Sequence, residues 1–202
     1  MNPNPNETTT PVVRKTQCLT LWDRQRRMLN YYNLPGTTYI ALGKQSAWSD
    51  SNDPQISDTY PPMPNEQATT IQEMIGMQRI AWKKFAKVYV SPTTEQKEDE
   101  GTVYYKGLYY ETTDDVDYAI TNGFTSIMFQ MTADRDQYFP IGVSFRQVGV
   151  FVEVNKTDIY LTAEEYNALS PEDKGHLMAI ENFMPLTRQG DQMEKFFALI
   201  DC

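Results

Sequence analysis

The side chains able to serve as acid, base or nucleophile are few and poorly spaced for catalysis. The chain of 202 residues holds one histidine, His176. A Ser–His–Asp or Cys–His arrangement needs that imidazole as its base. No serine lies in a G-x-S-x-G turn, and neither cysteine sits in a nucleophile motif. A lone histidine just past a helix end is expected to be a surface or capping residue. Cys18 and Cys202 lie near opposite ends without disulfide or metal spacing, which fits a reduced compartment. Adjacent carboxylates occur at Asp114–Asp115, Glu164–Glu165 and Glu172–Asp173. These fall where helices are expected to begin, and the positive end of a helix dipole accounts for acidic residues there. Phosphate-binding glycine loops, dinucleotide fingerprints and zinc spacings are absent from the sequence. The residues predict no catalytic, cofactor-binding or metal site, and a protein that is not an enzyme.

Function must then reside in surface. The net charge of −9 argues against nucleic acid as a partner, because phosphate neutralisation requires clustered Lys and Arg. The charge is uneven: residues up to Asp50 carry +3 and the remainder −12. Arg24, Arg26 and Arg27 dominate the basic part and are candidates for contact with an acidic body, the chain's own or a neighbour's. No apolar run approaches the roughly 18 residues needed to span a bilayer, so no membrane role is expected. The opening MNPNPNETTTPVV lacks the charged start and apolar stretch of a signal peptide. Thirteen tyrosines supply flat apolar faces with polar tips, suited to sheets and contact surfaces.

The elements that must position these groups are mostly strands. Residues 1–15 are rich in Asn, Pro and Thr and are read as a flexible arm. Residues 16–202 are read as a single mainly-β, sandwich-type domain with a few short helices and long loops. Helical spacing predicts a helix over 20–32, with Leu21 and Trp22 recurring as Met28 and Leu29, and shorter ones in ATTIQEMIGMQ, TTDDVDYAITNG and LTAEEYNALSPEDKG. The last begins with a capping box, Thr162 and Glu165. Strands are predicted at 37–42, 81–90, 102–111, 124–132, 143–154, 177–186 and 193–200, the third of which, VYYKGLYYE, reads either as a hairpin turning at Lys106–Gly107 or as one strand interrupted by glycine. Val148, Val150, Val152 and Val154 should share one face, and the final two strands should form a hairpin about LTRQGDQ. The acidic run Thr93–Gly101 reads as a solvated loop.

The stretch from Gly43 to Gln67 is long and polar, yet contains Trp48 and the prolines Pro54, Pro61, Pro62 and Pro64. Loops beyond about 12–15 residues are uncommon in compact domains unless they have a function or are disordered. Prolines lower the entropy lost on ordering. We therefore expect an ordered contact element anchored by Trp48, with Trp48, Tyr60, Pro61, Pro62 and Pro64 as contact candidates. Deleting residues 51–60 should weaken partner binding with little loss of fold.

Several blocks in order carry a resemblance: RMLNYYN, TYIALGKQSAWSD and YPPMP in the first half, then FRQVGVF, MAIENFMPL and DQMEKFFALID. Together they cover about half of the chain, which resembles the gene-eight baseplate wedge subunit of T-even-type contractile-tail bacteriophages. The region between Val90 and Pro140 is much shorter than that family's central insert, so contacts made by the insert do not carry over. The resemblance implies a β-sandwich structural protein of the virion's tail baseplate, assembled in the host cytoplasm. It also implies a homodimer that meets other wedge subunits, without catalysis or cofactor. The alternative is a carbohydrate- or host-surface-binding β-module of a phage virion, with glycans stacking on Tyr104, Tyr105, Tyr109 or Tyr110.

Overall fold

The computed structural model describes residues 19–50, 52–90, 93, 101–133, 139–188 and 194–202. The N-terminal arm, Cys18, most of the acidic run and the centre of LTRQGDQ lie outside the described residues. Among the described residues, ten strands form two antiparallel five-stranded sheets. The first sheet has the order β8 (Tyr160–Thr162), β2 (Gly76–Arg79), β1 (Thr37–Gly43), β7 (Ser144–Val154), β9 (His176–Thr187). The second has the order β10 (Glu194–Asp201), β6 (Ser126–Ala133), β3 (Trp82–Val88), β5 (Leu108–Thr113), β4 (Thr102–Tyr105).

A shared apolar core makes these sheets a sandwich. Ile40, Leu42, Val148, Val150 and Val152 from the first sheet meet Phe85, Ile127, Phe129 and Met131 from the second. Full burial of one such side chain contributes about 1.5–3 kcal/mol. The opposite face of the first sheet carries Tyr39, Ala41, Met77 and Phe151, which cluster with Ile71 and Tyr166. On the second sheet, Tyr105 of β4 and Phe197 of β10 bring their rings to 6.4 Å although their strands are at opposite ends, so this sheet curls round.

Three helices complete the described residues. Helix α1 (Leu21–Tyr32) is capped by the Thr20 hydroxyl, which accepts from the Asp23 amide at 3.2 Å. Only the C-terminal half of its predicted apolar face reaches the core: Met28 is buried, whereas Leu21 and Trp22 are exposed. Helix α2 (Val116–Thr121) starts at the Asp115 cap, and α3 (Ala163–Asn167) has the complete Thr162–Glu165 capping box.

Four sequence expectations need correction. The helix expected around Ile71–Ile75 does not form: the Ile75 amide donates to Leu42 O (2.8 Å) and the Lys44 amide to Gln72 O (2.7 Å), so pairing with the end of β1 replaces helical bonds. Glu73 there has φ 43°, incompatible with a helix. Val154 leaves the face of the other three valines and joins the opposite cluster, because Glu153 has φ 58° and the β1–β7 register shifts beside it. Strands β9 and β10 belong to different sheets, so they are not a paired hairpin. Finally, β2 and β8 lack the alternation that would have predicted them. By contrast, VYYKGLYYE is a true hairpin, turning at Lys106 (φ 49°) and Gly107 (φ 82°).

Candidate contact surface

The connection from β1 to β2 spans residues 44–75 and is tied down at four points. At its base, Gly43 lets the two ends approach: a Cβ there would lie 2.4 Å from Gln72 O. Lys44 follows in the left-handed region (φ 59°), its largely buried ammonium 3.1 Å from Glu73 Oε1. The Ser46 amide also donates to Glu73 Oε2 at 2.7 Å. The Ser46 side-chain and backbone bonds, then Lys44, hold the Glu73 carboxyl at a pKa of about 2.

Trp48 is the second tie. It is 6% exposed, its indole Nε1 donates to Phe183 O of β9 at 3.0 Å, and the Lys44 ammonium lies 5.4 Å from its ring centroid. The third tie is Asp58 with Arg146 of β7. Arg146 is 8% exposed and donates from Nε (2.6 Å) and Nη2 (2.8 Å) to the two Asp58 oxygens, and from Nη1 to Gln45 O at 2.5 Å. Asp58 Oδ1 also accepts from the Trp48 amide at 2.9 Å. Together these bonds, Arg146's foremost, hold its carboxyl at a pKa of about 2, and they push the Arg146 pKa up in turn. The fourth tie is a relay of amides. Asn182 donates to Pro62 O (2.9 Å), Gln147 donates to Asn182 Oδ1 (2.7 Å), and the Gln72 amide donates to Gln147 Oε1 (2.6 Å).

Between the ties the chain turns through local side-chain caps: Asp50 to the Asn52 amide, Asp53 to the Gln55 amide and Asn65 to the Gln67 amide. The result is a fixed loop with an exposed tip. Tyr60 is 70% and Met63 91% exposed, while Pro61, Pro62 and Pro64 between and beside them are half-buried. A surface hollow of about 450 Å³ is lined by Pro54, Gln55, Ser57 and Tyr60. Asp58 lies within residues 51–60, so the deletion expected from sequence to spare the fold would strand the buried Arg146 guanidinium.

The other candidates lie elsewhere. Arg24 braces α1 against the chain's own β10, donating from Nε to Cys202 O at 2.5 Å and lying 3.4 Å from Asp201. Arg26 and Arg27 share Asp23 at 3.1 and 2.8 Å, lowering its carboxyl pKa, and Arg26 also sits over the exposed Trp22 ring at 5.2 Å. The four tyrosines proposed for sugar stacking are split by the strand alternation. Tyr105 and Tyr110 belong to the cluster with Met128, whereas Tyr104 and Tyr109 pack on each other at 4.9 Å. His176 is exposed at the start of β9. Asp115 and Glu165 act as helix caps, and Asp173 accepts from Ser170 and Asn155. Among the described residues, no group of three or more His, Cys, Asp or Glu could hold a metal ion, and no helix is long and apolar enough to cross a membrane.

Comparison with known proteins gives this loop a setting. A family model described as "baseplate wedge 3 tail fiber network component" matches residues 30–202. The chain belongs to that family. The match to this baseplate wedge family begins inside α1, so it takes in both sheets and the whole 44–75 connection but leaves Arg24, Arg26 and Arg27 outside. Virion protein 3 of Enterococcus phage phiEF24C is 26% identical over 179 residues, covering 86% of this chain and 89% of that protein.

Sequence reasoning found Trp48 but missed Arg146, Asp58, Gln147 and Asn182. The missed signal was the Arg–Gln pair inside the otherwise apolar FRQVGVF: a guanidinium in the middle of a buried strand requires a carboxylate from somewhere.

Proposed function

We propose that the chain is a non-catalytic structural subunit of a phage tail baseplate, assembled in the host cytoplasm, that works through contacts with a second copy of itself and with other baseplate subunits. The 44–75 loop is one such contact element. The observation that carries this reading is the clamp of Asp58 on the largely buried Arg146, which fixes a loop whose Tyr60 and Met63 side chains face solvent. Fixing the tip in advance lowers the ordering cost of binding. Exposed aromatic and methionine side chains are the types enriched at protein interfaces. Family membership and the phage virion relative support the same setting.

The test is a Tyr60→Ser/Met63→Ser double variant, which leaves all four ties intact. Substitution at exposed positions should change stability by no more than about 0.5 kcal/mol per site. Incorporation into baseplates, read by quantitative mass spectrometry of purified tails, should fall severalfold. Undiminished incorporation would remove the tip from the contact surface.

A further inference from the structure

The segment from Gln45 to Gln78 holds five acidic residues, Asp50, Asp53, Asp58, Glu66 and Glu73, and no lysine, arginine or histidine. The fold uses only two of the five as ion-pair partners. Asp58 is taken by the Arg146 guanidinium and Glu73 by the Lys44 ammonium. Asp50, Asp53 and Glu66 are exposed, and none of them enters an ion pair among the described residues. Asp50 and Asp53 each turn one oxygen to a backbone amide, at 2.8 and 3.0 Å, which orients the carboxylate without cancelling its charge. These acids flank the apolar tip. Asp53 immediately precedes Pro54 and Gln55, which line the hollow with Tyr60, and Glu66 follows three residues after Met63. Ser57 and Tyr60 exchange backbone bonds of 3.2 and 3.0 Å, so the Tyr60 ring is carried on a closed turn. Met184 of β9, two residues beyond the Asn182 that holds Pro62, adds another exposed apolar side chain close by.

We propose that the tip docks on a basic surface of a neighbouring baseplate subunit, one whose Arg and Lys side chains border an apolar recess that receives Tyr60 and Met63. The inference rests on the reading above that the loop is a contact element, and adds the chemistry of what it meets. Charge selects the occupant. Unpaired carboxylates around an apolar centre repel nucleic-acid phosphates and anionic lipid headgroups, and attract a cationic protein surface. Against a neutral surface they add no attraction and lose hydration wherever they are covered. The chain's own arginines on α1 are already engaged: Arg24 is bonded to Cys202 O, and Arg26 and Arg27 share Asp23. Arginine fits the tip best, because its guanidinium can lie over an aromatic ring while its N–H groups reach a carboxylate. Arg26 does both within this chain, over Trp22 and onto Asp23. Attraction between exposed charges reaches about 8 Å at physiological ionic strength, so it orients the two subunits before the apolar side chains meet.

The test is competition during phage assembly. The full wild-type chain and an Asp50→Asn/Asp53→Asn/Glu66→Gln variant are co-expressed, and their ratio in purified tails is compared by mass spectrometry with their ratio in the soluble pool. Asparagine accepts the same amide bonds as aspartate, so both turns persist and the unfolding midpoint should not move. Exposed charge pairs are individually weak, and losing three together should lower incorporation about tenfold relative to wild type. Should the triple variant fail to fold, Glu66→Lys decides alone, at a position that takes no part in the loop's bonds among the described residues. It should be outcompeted severalfold, and its equal incorporation would overturn the proposal. Equal incorporation of the triple variant, while Tyr60→Ser/Met63→Ser is outcompeted, would overturn the basic partner and leave the loop as a contact element against a neutral surface. Equal incorporation of both variants would overturn the loop reading and this inference with it.

Discussion

Trp48→Ala should lower the stability of the chain by about 3–5 kcal/mol, read by chemical unfolding, although the residue lies in a loop. Ordinary loop substitutions cost far less. The expectation follows from the 6% exposure of the ring, which places it in the range of core aromatics. Truncation to alanine removes the packing of the indole and leaves a void, and it also deprives Phe183 O of its donor. It takes the ring from beside the Lys44 ammonium as well, so one of the few stabilising neighbours of a largely buried cation is lost. Trp48→Phe should recover much of the packing but not the bond to β9, and so fall between the two. A loss below 1 kcal/mol for the alanine variant would mean that the loop opens independently of the sandwich.

Acid should release the same loop. The carboxyls of Asp58 and Glu73 titrate at about 2 in the folded chain, below the ordinary values of 3.8 and 4.5. A carboxyl whose folded pKa is depressed contributes stability that is fully present above its unfolded pKa and is lost as pH falls through the folded one. The contribution of these two groups should be constant from neutrality to about pH 5, then decline steadily towards about pH 2. Protonated Asp58 accepts poorly from Arg146, and protonated Glu73 no longer balances Lys44, so both ties loosen in the same window. Loop amides near Trp48 should lose protection there while β6 and β7 retain theirs. Asp58→Asn should flatten the acid limb. An unchanged limb in that variant would show that the acid response comes from other carboxyls.

Most of the strand framework was legible because β1, β6 and β7 are built from apolar alternation or near-continuous apolar runs, and turn residues bound them. Helices α2 and α3 were legible from Asp and Thr caps. What could not be read were features fixed by distant partners. Residues 71–75 have helical spacing, but their backbone donors and acceptors are satisfied at the end of β1. Leucine and tryptophan at the start of α1 repeat with the right period, yet the helix overruns its sheet and leaves them in solvent. The switch of sheet between β9 and β10 depends on which face each strand buries, which alternation alone does not encode.

The 44–75 loop was half legible. Trp48 and the prolines marked it as unusual, whereas the residues that hold it, Arg146, Gln147 and Asn182, come from strands, and their loop partners Asp58, Gln72 and Pro62 lie 88, 75 and 120 residues earlier in the chain. Buried polar groups in strands are the signal to pursue, because each needs a partner that the local sequence does not supply.

The most direct measurement is hydrogen exchange across residues 44–67, in the isolated chain and again in assembled baseplates. In isolation the amide of Trp48, bonded to Asp58, should exchange slowly, and amides exposed around Tyr60 and Met63 should exchange fast. On assembly the tip should slow markedly as a neighbouring subunit covers it, with little change at Trp48. A tip that exchanges equally fast in both states would contradict a contact role for the loop.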